Sequence, residues 1–441
     1  MLTTDDPGYG RHIEQRCEQI DDLMSRLGYD ALLIHSGRPD HRLFDDQHPP
    51  FRALAPFAAL VPLAFAADCL LELRVGRRPR LWYCQPEDFW HAPPAEPESW
   101  WADHLDIERV ESSTAWRDRF GSERALAAIG QPDHLADLGE NVALNPSALL
   151  HGLGEMRTRK TGWERECMNR ANQRAAAAHL AAAEAFRNGA CELDIQLAYL
   201  RAAAQDQDQQ PYRGIVALNE HAAVLHYQHR DSEPPPQAQS FLLDAGVDEF
   251  GYASDITRTW TRPEHAQFAA LINEVDALQQ RLCEAMKPGV SFVDLHQQAH
   301  LGIAQILSQA GLVSMAPADM VESGVSAYFF PHGLGHFIGA QVHDVNGLVD
   351  AEGQDLPPPQ RYPFLRLTRR LEPDHVVTVE PGLYFIPMLL ERLRQSEFGR
   401  QIDWAQVEAL KPFGGIRIED NVLVGERAPT NLTRLAFAGL D

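Results

Sequence analysis

The sequence predicts a mixed α/β (α+β) protein of two domains, and three observations support this fold class. The chain has 441 residues, which is long for a single core at roughly 150 residues per domain. Segments with helical spacing alternate with short runs of β-type residues along the chain. Gly152 and Gly154 are expected to loosen the backbone at a boundary. We therefore expect domains of residues 1–157 and 158–441.

The N-terminal domain is predicted to open with a helix and a buried strand. Helical spacing runs from Arg11 to Leu27 and stops at Gly28. The apolar run from Ala31 to Ile34 is typical of a short buried strand. Residues 44–52 are polar and contain two prolines, so they favour neither element.

The second domain is predicted to begin with a capped helix. Thr161 and Glu164 have the spacing of a capping box, in which each side chain accepts a hydrogen bond from the backbone of the other residue. We expect this helix to continue through the alanine-rich run to Arg187, with Gly189 at its end. A further helix is expected from Leu193.

Helices and strands alternate in the rest of the chain. Helices are predicted over Glu264–Met286 and from Ser291, paired with Asp294 as a cap, toward Ala310. The β-type runs are residues 222–226, 241–245, 256–260, 376–379 and 415–424.

Composition and charge limit the expected partners and location. The formal net charge is −23, which argues against nucleic acid and anionic membranes because both favour a basic surface. The six cysteines form no Cys-x-x-Cys pair, a usage typical of reduced thiols. The N-terminus lacks the basic and apolar regions of a signal peptide, and the most apolar stretch, residues 53–67, is too short to span a bilayer. We therefore expect a cytoplasmic protein.

Two aspartates are predicted to meet across a hairpin. Asp244 ends one apolar strand and Asp255 begins the next, with GVDEFGYAS between them. A carboxylate at the end of an apolar strand is costly unless it is paired or bound to a metal. Either residue taken singly would also fit an ordinary turn.

Three histidines lie among glycines in the block PHGLGHFIGAQVHD. His332 and His336 have the spacing of a helical zinc pair, but the intervening glycines disfavour a helix and no glutamate follows His332. The block therefore predicts a strand or loop whose backbone lies close to a ligand. His332, His336 and His343 are candidate functional residues.

Two glutamates occupy strand positions downstream. Glu380 ends the valine-rich run and directly precedes Pro381-Gly382. Glu419 shares a strand face with Arg417 inside an apolar run. Taken singly, each glutamate would also fit a strand residue that faces solvent.

Four acids and an imidazole together indicate a site for two metal ions. Clustered carboxylates would repel one another and some would stay protonated, unless cations cancel their charge. An oxygen-rich set with one imidazole suits Mn²⁺ or Co²⁺. Two such ions about 3.5–4 Å apart can bridge a water molecule and lower its pKa, which is the chemistry of amide hydrolysis.

The resemblance to a known family rests on ordered sequence blocks. Five of them resemble the pita-bread metallopeptidases: LLDAGVDEFGYASDITRTW, KPGVSFVDLH, FFPHGLGHFIGAQVHD, TVEPGLYFIP and KPFGGIRIEDNV. With FDDQHPPFRALAPF in the N-terminal part, they look most like the bacterial Xaa-Pro dipeptidases (prolidases). The resemblance implies an N-terminal creatinase-like α/β domain, a C-terminal pita-bread catalytic domain and a homodimer.

The same resemblance implies an activity and its metal ligands. A hydroxide that bridges two metal ions would hydrolyse the imide bond of Xaa-Pro dipeptides, with organophosphate esters as a side substrate. Asp244 would chelate one ion, Asp255 and Glu419 would bridge both, and His336 and Glu380 would complete the other shell. Mn²⁺ is the ion implied, with Co²⁺ or Zn²⁺ as alternatives.

Further matches imply catalytic and substrate-binding residues. Glu380 would be the general base, and His226, His332 and His343 would orient substrate or transfer protons, as suits an imidazole near neutral pH. The other residues implied are Arg417 and Arg366 for the substrate carboxylate, Tyr212 in the pocket, and Asp45, which the N-terminal domain would lend to a pocket across the dimer.

Two other functions stay open. Aminopeptidase P shares the fold and ligands but releases the first residue of longer chains, and the FDDQ and PHGLGH segments favour the dipeptidase. A metal-free creatine-type hydrolase or peptide-binding protein of this fold typically loses metal ligands. All five ligand positions are filled here.

Overall fold

A computed structural model describes residues 7–92, 94–112, 115–116, 119–120, 125–138 and 141–440. The chain forms two compact units, unit 1 (Met1–Cys167 and Phe250–Tyr252) and unit 2 (Met168–Glu249 and Ala253–Asp441). The first six residues of the segment assessed for a signal peptide lie outside the described residues. The predicted domain limits, 1–157 and 158–441, stay a prediction.

Unit 1 is built around a mixed sheet whose strand order is β4-β3-β2-β1-β5-β6. The strands β1 and β2 pair antiparallel, whereas β1 and β5 pair parallel. The elements are α1 (Pro7–Leu27), β1 (Ala31–His35), α2 (Ala55–Ala58), β2 (Leu70–Arg74), β3 (Arg80–Cys84), α3 (Ser99–Ala102), β4 (Asp106–Val110), β5 (Leu126–Ile129), α4 (Pro132–Leu135), β6 (Val142–Leu144) and α5 (Ser147–Thr158).

Several expectations for unit 1 are confirmed, and one is wrong. The predicted first helix and strand are α1 and β1, and residues 44–52 contain neither helix nor strand. Gly152 and Gly154, however, lie inside α5. The reason at Gly152 is packing, because a Cβ atom there would stand 2.6 Å from Cδ2 of Leu23.

Unit 2 contains most of α6, the later helices and several small antiparallel sheets. The division between the units falls within α6 (Gly162–Arg187). The later helices are α7 (Glu192–Ala203), α8 (Ala266–Glu284), α9 (Phe292–Gln309), α10 (Pro317–Glu322), α11 (Pro387–Gln395), α12 (Trp404–Leu410) and α13 (Leu432–Ala438). The strands are β7 (Ile215–Leu218), β8 (Ser240–Ala245), β9 (Asp248–Glu249), β10 (Tyr252–Ala253), β11 (Ile256–Thr261), β12 (Val376–Val379), β13 (Gly382–Tyr384), β14 (Gly415–Arg417), β15 (Asp420–Leu423) and β16 (Thr430–Asn431).

The strands of unit 2 are the frame on which the candidate acids lie. One sheet has the order β11-β8-β7, a second β12-β15-β16, and a third pairs β13 with β14. Isolated bridges join Thr257 of β11 to Glu419 and Phe337 to Val377 of β12. A hydrophobic core of α8, α9, β12 and β15 side chains packs around these strands. The acids therefore occupy the ends of buried strands.

The predicted capping signals of α6 and α9 are confirmed. The Thr161 backbone N–H donates to Oε2 of Glu164 (2.6 Å), and the Glu164 N–H donates to Oγ1 of Thr161 (3.3 Å), which completes the capping box of α6. Ser291 caps α9 by accepting from the Asp294 backbone N–H. In the described part of the chain, no helix combines the length and apolarity needed to cross a membrane.

One β-strand prediction in unit 2 is wrong, and a second is correct except for an interruption. Residues 222–226 lie in a 3-10 helix (Asn219–Ala223) and the irregular segment after it. Residues 415–424 form two strands, β14 and β15, separated by Ile418 and Glu419. Both differences occur where side-chain contacts determine the path of the backbone, and such contacts leave little trace in hydrophobic periodicity.

The buried pair Arg16–Glu164 yields a stability prediction. Its N and O atoms lie 2.5 Å apart, and the side chains are 4% and 1% exposed. Burial would raise the pKa of Glu164, but Arg16, His12 and Lys160 outweigh it and lower the pKa to about 2 from its ordinary 4.5. Glu164→Gln should destabilise the protein by about 3–5 kcal/mol at neutral pH, because Arg16 loses its charged partner.

The sign of the pH dependence follows from the lowered pKa. Glu164 contributes its stability above about pH 4.5 and loses it as the pH falls through about 2. The Tm difference between wild type and Glu164→Gln, measured by calorimetry, should be constant from pH 7 to 5 and shrink below pH 4.5. Glu14→Gln, at an exposed position of the same helix as Arg16, should behave as wild type. A Tm gap that widens in acid would contradict this account.

Candidate active site

Four carboxylates and an imidazole converge at the strand ends of unit 2. Asp244 is in β8, and Asp255 immediately precedes β11. Glu380 follows β12, and Glu419 lies between β14 and β15. His336 comes from the irregular segment 331–346, which contains no helix, as the glycines predicted. Residues far apart in sequence thus share one small volume.

Asp244 and Asp255 are held together by a tyrosine. In the antiparallel pair β8–β11, Asp244 lies opposite Thr257. Asp255 comes two residues before Thr257, so the two aspartates are close along the paired strands. The Tyr212 hydroxyl lies 2.8 Å from Oδ1 of Asp244 and 2.5 Å from Oδ1 of Asp255. Nη2 of Arg417 donates to the other oxygen of Asp244 at 2.6 Å.

His336 is oriented by its backbone surroundings. Its Nδ1 lies 2.9 Å from the Phe337 carbonyl oxygen, which fixes the proton on Nδ1 and leaves Nε2 as a lone-pair donor. That Nε2 is 3.6 Å from Oδ2 of Asp255 and 3.9 Å from Oε1 of Glu380. The His336 N–H donates to Oγ1 of Thr378.

Hydrogen bonds with Thr257 and Asn421 hold Glu419 and the backbone of Asp255 in place. The Thr257 hydroxyl donates to Oε2 of Glu419 at 2.7 Å. The Asn421 amide forms two hydrogen bonds with Asp255, donating to its carbonyl oxygen (2.6 Å) and accepting from its N–H (3.0 Å). The two acids are therefore held in fixed relation to each other.

The acids perturb each other's protonation strongly. Burial, followed by the charges of Asp255 and Glu380, raises the pKa of Glu419 well above its ordinary range. Burial raises the pKa of Glu380 to about 7 and also raises that of Asp244, although Arg417 opposes it. Burial acts in the same sense on Asp255, but the charge of a protonated His336 and the hydrogen bond from Tyr212 outweigh it and lower its pKa. Burial thus favours the protonated form of three of these acids unless cations bind.

The donor set fits divalent cations. Ligand atoms of Asp255, His336 and Glu419 all lie within 4.8 Å of one another, and Glu380 and Asp244 are connected to the same group through His336 and Tyr212. Carboxylate oxygens with one imidazole are ligands for Mn²⁺, Co²⁺ or Zn²⁺. Bound cations would also offset the cost of burying these carboxylates together in their charged form.

A cavity of about 1080 Å³ opens over the cluster and brings most of the other predicted residues together. Its lining includes the four acids of the cluster and His336, together with the predicted residues Tyr212, His226, His332, His343, Arg366 and Arg417. The His343 ring stands nearly perpendicular to the His336 ring, with centroids 4.4 Å apart. Burial lowers the pKa of His343 to about 4, and the His336 and Arg366 charges add to that effect.

Asp45 is the predicted residue that the structure leaves apart from this group. It belongs to unit 1, is exposed, and accepts a hydrogen bond from the Gln47 N–H. It follows Phe44, which is 99% exposed with a positive φ of 61°. The unit 2 cavity therefore forms without Asp45.

Two family models match the chain. The model described as "Metallopeptidase family M24" matches residues 166–426, and "Xaa-Pro dipeptidase, N-terminal domain" matches residues 7–154. The chain belongs to metallopeptidase family M24. The prediction of a metallopeptidase is thereby confirmed.

Relatives in this family are similar over almost the whole chain. A protein named Xaa-Pro dipeptidase from Stenotrophomonas maltophilia is 43% identical over 440 residues, which are 99% of each chain. Another of that name, from Marinobacter nauticus, is 46% identical over 430 residues, which are 97% of each chain.

Solved structures support the predicted fold. Proline aminopeptidase P II from Yersinia pestis has a TM-score of 0.75 at 21% identity, covering 97% of this chain and 96% of its own. Aminopeptidase P from E. coli with the inhibitor Pro-Leu has the same TM-score and identity, and 95% of that chain is covered. The likeness confirms the pita-bread fold of the M24 domain.

The M24 site also contains residues that the sequence did not identify. The Tyr384 hydroxyl lies 2.8 Å from Nε2 of His332 and accepts from Nη1 of Arg417 at 2.8 Å. Asn421 follows Glu419 by two residues and would have been noticed only with the fold known. Thr257 carried a signal, since it shares a strand face with Asp255, but its partner Glu419 is distant in sequence.

Gly335 provides a test of how the His336 segment is positioned. A Cβ atom at residue 335 would stand 2.0 Å from the Thr378 carbonyl oxygen, so the backbone must move. Gly335→Ala should lower stability by about 1–3 kcal/mol, the usual range for overpacking, and displace His336 from the acids. The measurements are Tm and the metal bound per chain after dialysis.

Gly162→Ala is the matched control for Gly335→Ala. Its added methyl group meets nothing closer than the Arg165 side chain at 3.9 Å, and alanine favours the helix. This variant should equal or exceed the wild-type Tm with its metal unchanged. If Gly335→Ala has the Tm and the metal content of wild type, the close approach of residue 335 to the Thr378 carbonyl oxygen does not position His336.

Proposed function

We propose that this chain hydrolyses the imide bond of Xaa-Pro dipeptides at the acid–histidine cluster of the M24 domain. The observation that carries the proposal is the cluster itself, at the wall of a cavity of about 1080 Å³ that also contains exposed imidazole and guanidinium groups. Relatives named Xaa-Pro dipeptidase at 43% and 46% identity support the substrate class.

We propose two divalent cations per chain, with Mn²⁺ as the native ion. Asp244 would hold one ion, Asp255 and Glu419 would be shared, and His336 and Glu380 would complete the second set. When bound, such ions lower the pKa of water and stabilise negative charge that develops on a carbonyl oxygen. The Nδ1 contact of His336 supports this assignment, because it presents Nε2 to Asp255 and Glu380.

Glu380 is proposed to accept the proton of the attacking water. Its carboxylate is half-buried and lines the cavity, so it is accessible to substrate and water alike. Oε2 of Glu380 lies 3.7 Å from Nδ1 of His332. The water oxygen forms the new bond to the acyl carbon, and the bond from that carbon to the proline nitrogen breaks.

The proline nitrogen must gain a proton when it leaves. In an imide bond this nitrogen carries no hydrogen, so hydrolysis delivers one from water through the protein. His226, His332 and His343 all line the cavity, and a positioned imidazole is a common carrier. Nε2 of His332 is already in contact with Tyr384, which leaves His226 and His343 better placed to meet the substrate.

Arg366 is the better candidate for the substrate carboxylate. Arg417 is 4% exposed, and its guanidinium already contacts Asp244, Tyr384 and Thr257. Arg366 is exposed at the cavity wall, where a guanidinium can form the paired hydrogen bonds that a carboxylate accepts. We therefore propose that Arg417 orients Asp244 while Arg366 binds substrate. Tyr212 would help to close the pocket on the acid side.

We further propose a cytoplasmic homodimer in which Asp45 contacts substrate in the partner's cavity. Leu43 and Phe44, beside Asp45, are 84% and 99% exposed. Adjacent exposed apolar side chains suit a protein contact. The free cysteines at described positions, five of them buried, suit a reducing compartment.

Peptide length separates this proposal from aminopeptidase P. A dipeptidase reads a free amine and a free carboxylate at the two ends of its substrate, so Ala-Pro should be cleaved and Ala-Pro-Ala should not. Initial rates with Mn²⁺ on both peptides, and on Ala-Ala as a control for proline, provide the measurement. Rapid cleavage of Ala-Pro-Ala would favour aminopeptidase P and overturn the assignment.

Asp255→Asn tests the shared-ligand role. Removing one charge from a carboxylate between two cations should abolish activity and tight metal binding, because asparagine is a weaker ligand. Metal content can be measured by mass spectrometry after dialysis, with turnover of Ala-Pro on the same sample. Asp319→Asn, at an exposed position of α10, is the control. Near-normal turnover with two ions bound to Asp255→Asn would exclude this role.

A further inference from the structure

A buried carboxylate outside the metal cluster organises one wall of the cavity. Glu192 is the first residue of α7 and is 1% exposed. Its oxygens accept four hydrogen bonds, from Leu218 N–H (2.9 Å), His221 Nδ1 (2.8 Å), Tyr227 hydroxyl (2.9 Å) and Asp231 N–H (2.9 Å). All four donors lie within residues 218–231, some 26 to 39 positions along the chain.

That segment has few regular hydrogen bonds of its own. After the 3-10 helix Asn219–Ala223, it runs without helix or strand to β8. Ala223, Leu225, His226 and Gln228 line the cavity. The cavity wall is therefore a loop, and loops hold a fixed path only where external contacts provide one.

Tyr227 connects Glu192 to His226, because it is hydrogen-bonded to Glu192 and directly follows His226 in the chain. The Tyr227 ring is 7% exposed and stacks on His221, with ring centroids 4.5 Å apart and planes at 21°. His226, the preceding residue, is exposed to the cavity. Because His226 and Tyr227 are consecutive, the hydrogen bond and the ring stacking that hold Tyr227 also restrict the backbone that carries the His226 side chain.

We propose that Glu192 is a positioning residue, which holds the 218–231 loop so that His226 faces the substrate. The proposal rests on the dipeptidase function proposed above. A carboxylate suits this role because every partner is a donor and a carboxylate only accepts, with about four lone pairs. Glutamine would turn an N–H₂ group toward two of these donors.

The same geometry weighs against a metal role for this group. Ligand atoms of Glu192, His221 and Asp231 do lie within 4.8 Å of one another. The four donors already engage both oxygens of Glu192, so a cation would have to displace them. Metal content therefore serves as a second readout.

The test uses Glu192→Gln in the full-length, Mn²⁺-loaded enzyme. We expect kcat/KM on Ala-Pro to fall roughly 10- to 100-fold, the scale of a displacement of about 1 Å. The metal bound per chain should equal that of wild type, and amide hydrogen exchange should accelerate in residues 218–231. Glu220→Gln, which removes an exposed charge from the same loop, is the matched control and should match wild type in all three.

A double-mutant cycle separates positioning from general structural support. If Glu192 acts through His226, Glu192→Gln should cause little further loss in a His226→Ala background. Tyr227→Phe removes one of the four hydrogen bonds and should give a smaller loss in the same direction, which provides the test if Glu192→Gln fails to fold.

Several outcomes would overturn the proposal. The first is wild-type kcat/KM in both Glu192→Gln and Tyr227→Phe, and the second is wild-type turnover of His226→Ala. The third is that the losses in kcat/KM from Glu192→Gln and His226→Ala are fully additive. The fourth is loss of a metal ion when Glu192 is substituted. Failure of the wild-type enzyme to cleave Ala-Pro would instead refute the dipeptidase function itself.

Discussion

Electrostatic repulsion among four carboxylates is the constraint on which the rest of unit 2 depends. Asp244, Asp255, Glu380 and Glu419 lie at the ends of buried strands, where two like charges 4 Å apart repel by about 4 kcal/mol at an effective dielectric constant of 20. Several such pairs would rival the roughly 5–15 kcal/mol that stabilises a folded domain. Burial, to which neighbouring carboxylate charges add, raises the pKa values of Glu419 and Glu380, so these acids tend to take up protons when no cation is bound. Divalent cations relieve the repulsion among the carboxylates because their positive charge replaces that of bound protons. The carboxylates then stay ionised and can act as ligands.

The surrounding protein holds the cluster from the outside, so that its members need not hold each other. The Tyr212 hydroxyl contacts Asp244 and Asp255, and the Thr257 hydroxyl donates a hydrogen bond to Glu419. The Asn421 side chain donates a hydrogen bond to the backbone carbonyl oxygen of Asp255. Each of these groups is uncharged, so it fixes geometry without cancelling the charge that attracts cations. Glu192 extends the same principle to the cavity wall, where a carboxylate organises donors around a loop. Within the cluster, neutral groups therefore supply most of the positioning, and Arg417 at Asp244 is a charged exception.

Local signals in the sequence predicted the frame, whereas long-range contacts decided the details. The capping box at Thr161 and the strand β8 are local patterns, and both were predicted correctly. The gathering of the acids was inferred from charge cost and from resemblance to a family. The loop after residue 222 was mistaken for a strand, because its path depends on Glu192, which lies some thirty residues earlier. Tyr384 and Asn421 were missed for the same reason, since their partners are distant in sequence.

The most direct test of the central claim is a calorimetric titration of chelator-treated enzyme with Mn²⁺. A cluster of four acids and one imidazole built for two cations should take up two equivalents per chain, releasing protons from Glu380 and Glu419 as it does so. Repeating the titration in buffers of different ionisation enthalpy gives the number of protons released. Two equivalents with proton release would support the account. No binding, or binding without proton release near neutral pH, would contradict it.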